Sequence, residues 1–292
     1  MSDLAWSGII AMGQGQHLSK PRDRGLTMLI DTGLGVAAST DLVEIGGDYI
    51  DHWKCSFGTS SFVRADVLMR KLSMLNAHGI LTYPGGTLLE AAIVNRTHRA
   101  YIARAKLLGF GAIEVSDGTI DLDRETREEV IAAALDAGFT VIAEVGKKDP
   151  DAQPSVAEIA DQALLDLEAG ASFVIVEGRE SGASVGIYDE KGGIKGQTLF
   201  AITEMMGDAA DRLIWEAPRK DQQATLVKAF GANVNLGNVE PGAILALESL
   251  RAGLRFETMK AVAEAWKERA RLRHAAAPTA TIADDEPGRQ MG

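Results

Sequence analysis

Charged residues recur in this sequence directly after short apolar runs, and those are the positions where chemistry would sit. One run ends in Asp51 and Lys54, and later ones give Glu114 with Ser116 and Asp117, then Glu144 with Lys147 and Lys148. Further along come Glu177 with Arg179 and Glu180, then Glu216, then Asn235, Gly237 and Asn238. Several carboxylates around one axis cannot all ionise in a dry pocket unless cations lie among them. The lysines and the arginine are one source of positive charge, and a divalent metal is another. His17, His52, His78, His98 and His274 show no metal-binding spacing, and there is one cysteine, Cys55. Metal ligands would therefore be oxygens, which points to Mg²⁺ or Mn²⁺ rather than zinc. The cations, with the backbone N–H groups of a turn at Gly237-Asn238, suit a phosphate and a carboxylate. The residues thus describe an oxygen-ligated metal enzyme acting on a small phosphorylated acid.

Each residue also has a plainer role to weigh. Lys54 could pair with Asp51 or with a neighbouring strand's glutamate, and Glu114, Glu144, Glu177 and Glu216 could form a fixed salt-bridge ring. Arg179 and Glu180 could be a solvated pair, Asp31 could orient Arg22 or Arg24, and Cys55 reads as a buried thiol.

The elements that must carry these residues are legible as apolar runs at 26–31, 49–54, 79–84, 112–116, 139–145, 172–178, 212–217 and 232–237. They are nearly continuous in hydrophobicity, as expected of parallel strands covered on both faces. Helical periodicity separates them, at 64–78, 88–108, 124–137, 155–169 and 241–252. One polar residue per strand end, from Asp31 to Asn235, spans 204 residues in seven intervals of about 29. That is close to one unit of an eight-fold barrel of ~250 residues. The fold expected is a single α/β domain, a (βα)8 TIM-type barrel over 20–256. An N-terminal extension (1–19) precedes it, and an amphipathic helix (257–273) and a disordered tail (274–292) follow. Gly33-Leu34-Gly35-Val36-Ala37-Ala38, with Asp51 beyond it, nominally fits a dinucleotide fingerprint. Thr32 intervenes before the glycines, however, and a first βα loop explains them better, so no nicotinamide cofactor is expected.

Hydrophobic residues make up 46% and charged residues 24%, an ordinary globular balance. The net charge of −11 argues against nucleic acid or an anionic membrane as partner, although a local cation cluster can still receive small anions. No apolar stretch approaches the ~18 residues of a membrane span, and no signal peptide is evident. A lone cysteine cannot form an intrachain disulfide, so a cytoplasmic enzyme is expected. Whether it forms a homo-oligomer is left open.

In fixed order, the runs KPRDRGLTMLIDTGLG (20–35), YIDHWKCSFGTS (49–60) and YPGGTLLEAA (83–92) resemble the phosphosulfolactate synthase family. So do LGFGAIEVSDGTI (108–120), EVGKKDP (144–150), VIVEGRESGASVGIYDEKG (174–192), WEAPRKDQQ (215–223) and FGANVNLGNV (230–239). The resemblance spans nearly all of Lys20 to Thr258 and implies a (βα)8 barrel. It also implies Mg²⁺-dependent addition of sulfite to phosphoenolpyruvate to give (2R)-phospho-3-sulfolactate, an early step toward coenzyme M or another sulfonate. On that footing Glu144, Glu177 and Glu216 are the metal-ligand candidates, with Asp117 as a fourth. A lysine whose pKa is lowered by neighbouring cations would protonate C2, Lys147 being favoured over Lys148 by strand alternation from Glu144. Lys54, Arg179 and Arg22 would bind phosphate and sulfite, with Glu114, Ser116, Asn235, Gly237 and Asn238 completing the substrate site. His52, Trp53 and Cys55 stand where other apolar residues are more usual in the family. The competing functions are a related Mg²⁺-dependent lyase or aldolase on another phosphorylated enol or 2-oxo acid, and a non-catalytic barrel scaffold.

Overall fold

A computed structural model describes residues 4–7, 17–260, 263, 264, 267 and 271. The eight expected strands are present as β1 (Thr27–Asp31), β2 (His52–Cys55), β3 (Leu81–Pro84), β4 (Ala112–Val115) and β5 (Thr140–Val145), then β6 (Phe173–Val176), β7 (Leu213–Glu216) and β8 (Leu236–Val239). All are parallel, in the order β3-β2-β1-β8-β7-β6-β5-β4. At the seam the Gly111 N–H donates to the Thr82 carbonyl (2.9 Å), so β4 meets β3 and the barrel nearly closes.

Between the strands lie α1 (Val36–Gly46), α2 (Ala65–Ala77), α3 (Gly86–Val94), α4 (His98–Leu108) and α5 (Arg124–Asp136), followed by α6 (Val156–Glu168), α7 (Gly196–Met206), α8 (Lys220–Phe230) and α9 (Ile244–Arg251). The single helix expected over 88–108 is two. Arg96 adopts the left-handed φ of 56°, and the Thr97 N–H and the Asn95 side chain bond back to the Ala92 and Ala91 carbonyls. Side chains that satisfy a helix's last carbonyls end it there. Residues 256–260 are helical. Most of 261–273, the tail 274–292, and much of the N-terminal extension lie outside the described residues.

Side-chain parity divides the interior in two. Trp53, Val115, Val141, Val174 and their neighbours face the helices in one large apolar layer. Met28, Tyr83, Ala112, Ile142, Ile175 and Ile214 fill the barrel's middle. Two residues further along β2, β4, β5, β6 and β7 come Lys54, Glu114, Glu144, Glu177 and Glu216, all buried. An apolar plug therefore carries a charged layer at the C-terminal ends of the strands. That is the end where barrels of this kind place their chemistry.

Candidate active site

Lys54 is the hub of the charged layer. Its Nζ lies 3.0 Å from Glu114 Oε2, 2.8 Å from Glu144 Oε2 and 3.2 Å from Glu216 Oε1. Burial alone would lower its pKa, but the three carboxylates outweigh burial and hold the ammonium form well above its ordinary range. Lys148 is a second bridge, with Nζ 2.8 Å from Glu144 Oε1 and paired with Glu177 Oε2. Burial opposes its charge as well, and Glu144 and Glu177 again prevail and raise its pKa. The expectation of a lysine acidified by neighbouring cations is therefore not met, because carboxylates surround both lysines.

Four glutamates face two lysines, so the layer carries an excess of two negative charges if all ionise. The Glu114 carboxyl is pushed up to about 7, by burial first and by Glu144, against the pull of Lys54. Glu177 lies well above the usual range for burial first and then for Glu144 and Glu216. Glu144 is the converse: burial would raise it, but Lys148 and Lys54 hold it below the usual range. Two protons or one divalent cation would balance the layer.

Linkage gives these shifts a measurable sign. Folded Glu114 binds its proton more tightly than an unfolded glutamate near 4.3, so its contribution to stability is full below that pH. The contribution is lost as pH rises through about 7, at no more than ~1.4 kcal/mol per pH unit. Glu144 acts oppositely, its contribution being lost only on acidification. Urea unfolding from pH 4.5 to 7.5 is thus expected to show Glu114→Gln gaining stability relative to wild type as pH rises. A difference that stays flat with pH would remove this role from Glu114.

The rim is made by loops that the glutamates organise. Glu216 Oε2 accepts the Gly178 N–H (2.9 Å) and Glu177 Oε1 the Arg179 N–H (2.7 Å). These bonds hold Arg179 at the mouth, where its Nη1 approaches the Lys148 carbonyl at 3.4 Å. Opposite, Glu114 Oε1 accepts the Gly86 N–H (2.6 Å) at the start of α3. A Cβ on Gly86 would fall on the Ser116 hydroxyl and 3.0 Å from Glu114 Oε1, so only glycine lets the helix approach so closely. Ile30, Ser56, Phe57, Thr87 and Asn238 complete the cleft wall.

Several expected site residues lie elsewhere. β5 ends at Val145 and the left-handed Gly146 breaks the alternation, so that Lys148 turns back onto Glu144 while Lys147 points away from it. Lys147 Nζ bonds the Asp117 and Ile120 carbonyls (both 2.8 Å) and the Asp117 carboxylate (3.0 Å). Asp117, offered as a metal ligand, is also held by Arg127 Nη1 at 3.2 Å, away from Glu144, Glu177 and Glu216. Ser116 gives its hydroxyl to Glu90 on α3. Arg22 is at the other end of the barrel, bidentate on Asp51, because β2 begins after Asp51 rather than ending near it. Asn235 precedes β8 and caps that same end through the Leu26 N–H and the Asp211 and Leu213 carbonyls. Gly237 is a mid-strand residue, not a turn: a Cβ there would stand 3.2 Å from Ile214. Asn238 does reach the cleft, with φ of 53° and a buried Oδ1 that has no hydrogen-bond partner among the described residues. Asp31 meets neither Arg22 nor Arg24 but Lys71 and Trp53 Nε1.

Two supporting residues escaped the sequence reading. Arg127 on α5 grips Asp166 with two bonds and donates to the Glu144 carbonyl at 2.9 Å, fixing where β5 delivers its glutamate. Glu90 ties the β4–α5 loop to α3 through Ser116 and the Thr119 N–H. The signal was available, since Arg127 shares the buried helical stripe of Val130, Ile131 and Ala134. A charge on an apolar face must have a buried partner. Cys55 faces the helix layer, and its thiol is pushed up to about 12 by burial and by Asp31. It is expected to react with a thiol reagent only at the rate of unfolding, and rapid labelling of the folded protein would contradict that placement.

A parallel eight-stranded barrel with buried lysines among glutamates at its C-terminal rim defines the class: a (βα)8 barrel with a charged cleft at the end where such barrels carry their active sites. The sequence profile described as (2R)-phospho-3-sulfolactate synthase (ComA) matches residues 15–257. Phosphosulfolactate synthase of Methanothermobacter thermautotrophicus is 43% identical over 243 residues, covering 82% of this chain and 93% of that one. Phosphosulfolactate synthase of Bacillus subtilis is 36% identical over 242 residues, covering 82% and 94%. The chain belongs to the phosphosulfolactate synthase family. Among solved structures, 3-hexulose-6-phosphate synthase from Salmonella typhimurium aligns with a TM-score of 0.54 at 13% identity, covering 77% of this chain and 98% of that one, a likeness of fold. Among the described residues no helix is long and apolar enough to cross a membrane.

Proposed function

We propose that the chain catalyses Mg²⁺-dependent addition of sulfite to C3 of phosphoenolpyruvate, giving (2R)-phospho-3-sulfolactate. The observation that carries this reading is the pair of lysines, Lys54 and Lys148, set among four buried glutamates at the mouth of the barrel. In the reaction the sulfur lone pair forms the new C–S bond at C3, and the C2=C3 π pair moves onto C2 and into the carboxylate. A proton delivered to C2 then completes the addition.

The residues divide this work by position. Lys54 faces the centre of the cleft and would take one anionic group, in place of part of its present hold on the glutamates. Arg179 and the N-terminal turn of α3 flank the mouth and would receive the phosphate. Lys148, an ammonium at neutral pH, would supply the proton to C2.

Among the described residues no group of three or more carboxylate, His or Cys side chains is arranged as a ready metal cage. The donor set nevertheless fits a hard divalent cation, because Glu177, Glu216 and the unpartnered Asn238 Oδ1 are all oxygens on an electronegative wall. Glu144 gives both its oxygens to lysines, whereas Glu177 and Glu216 each give one to a lysine and one to a backbone N–H, so a metal would displace fewer cations from these two and they are the favoured ligands. Bound there, Mg²⁺ would supply positive charge to the substrate carboxylate as negative charge builds on it.

Purified protein incubated with phosphoenolpyruvate, Mg²⁺ and sulfite tests the reading. The expected result is loss of phosphoenolpyruvate that needs sulfite and stops when Mg²⁺ is chelated. Turnover with another nucleophile but not sulfite would favour a related lyase. No binding of phosphoenolpyruvate would favour a scaffold.

A further inference from the structure

Lys148 lies beyond the end of its own strand, in the β5–α6 loop, and its course to the charged layer is set by the neighbouring β4–α5 loop. The Lys148 N–H donates to the Gly118 carbonyl at 2.9 Å. Its side chain then crosses the Gly118 α-carbon on the way to Glu144 and Glu177. A Cβ on Gly118 would stand 2.6 Å from Lys148 Nζ, 3.3 Å from its Cγ and 3.4 Å from its Cδ, and no other atom is nearer. Gly118 is buried and is not among the glycines with left-handed φ, so its backbone does not call for glycine. What glycine supplies there is the absence of a side chain beneath the lysine.

The loop has little room to yield to an added methyl group, because both neighbours of Gly118 are held. Asp117 pairs with Arg127 Nη1 at 3.2 Å, and the Thr119 N–H donates to Glu90 Oε2 at 3.0 Å. Arg127 and Glu90 are themselves buried. Lys148 is the softer partner, a long side chain one-third exposed at the cleft (33%). We propose that Gly118 is a positioning residue for Lys148, its bare α-carbon setting the depth at which the ammonium sits between Glu144 and Glu177. The proposal rests on the reading of Lys148 as the proton donor to C2. Ordinary contact around an alanine methyl would require Nζ to move by about 1 Å. A misplacement of ~1 Å at a reacting centre costs about 10² in rate.

The test compares Gly118→Ala, Lys148→Ala and the double variant by crystallography, calorimetric unfolding and the phosphoenolpyruvate–sulfite assay. Gly118→Ala is expected to shift Lys148 Nζ away from Glu144 by about 1 Å. Its kcat should fall about 10²-fold, with KM for phosphoenolpyruvate little changed. In the Lys148→Ala background the same alanine should cost no further activity and no stability, since its methyl then meets no side chain. An equal loss of kcat in both backgrounds overturns the proposal, and so does an alanine accommodated by a moved β4–α5 loop with Lys148 left in place. If Gly118→Ala fails to fold, a folded double variant supports the clash with Lys148 and an unfolded one overturns it. A wild-type protein inactive with sulfite would refute the proposed reaction, while the position of Lys148 in the Gly118→Ala crystal would still decide the role of Gly118.

Discussion

Replacing Lys54 with methionine is expected to cost both stability and activity, and the stability loss should be the largest of any single substitution in the barrel. Lys54 Nζ is the shared partner of Glu114, Glu144 and Glu216, all within 3.2 Å and all buried. Methionine fills a similar volume but leaves three carboxylates facing one another over an apolar plug. Removing one partner of a buried ion pair costs about 3–5 kcal/mol, because the remaining charge is stranded. For a domain of this size that corresponds to a fall in Tm of roughly 6–20 °C. The turnover number should fall by at least ~10², the usual effect of deleting one preorganised charge at a reacting centre. Adding Glu144→Gln to Lys54→Met should restore part of the stability and none of the activity, since it relieves repulsion without returning a cation. Calorimetric unfolding and steady-state kinetics on the wild type and the two variants check both arms. A Lys54→Met protein with wild-type Tm would show that the carboxylates are neutral and that the lysine is not their counterion.

The second large effect separates two adjacent lysines. Lys148→Ala is expected to lower kcat by ~10²–10⁴, with KM for phosphoenolpyruvate changing much less. Lys147→Ala is expected to leave kcat within about tenfold of wild type. Its ammonium is occupied by the Asp117 and Ile120 carbonyls and the Asp117 carboxylate, outside the cleft. The direction reverses what the sequence alone favours, so the comparison is informative either way. A large kcat loss in Lys147→Ala, with Lys148→Ala near wild type, would require the β5–α6 loop to rearrange when substrate binds.

That pair also shows where reading the sequence succeeds and where it stops. Parallel strands buried on both faces must be apolar nearly throughout, so eight runs at a period of about 29 residues were visible without any coordinates. A charge at the end of such a run has nowhere to go but the barrel's rim, and Lys54, Glu114, Glu144, Glu177 and Glu216 were found on that ground. Strand ends are harder to place than strands. Moving the start of β2 from Tyr49 to His52 carries Asp51, and with it Arg22, to the opposite end of the barrel. Moving β8 to Leu236–Val239 does the same to Asn235 and turns Gly237 from a phosphate-binding turn into a packing position.

The sequence by itself determined the barrel, its count of strands and the kind of residue at its mouth, because burial on two faces and a repeating unit leave periodic traces in composition. Only the tertiary structure decided which cation meets which carboxylate. Lys54 neutralises glutamates 60, 90 and 162 positions away, and Lys148 reaches one 29 positions away. Such distances along the chain carry no local signal. They arise when a closed sheet brings alternate side chains of separate strands into one layer, where the cost of burying each charge is met by its neighbours.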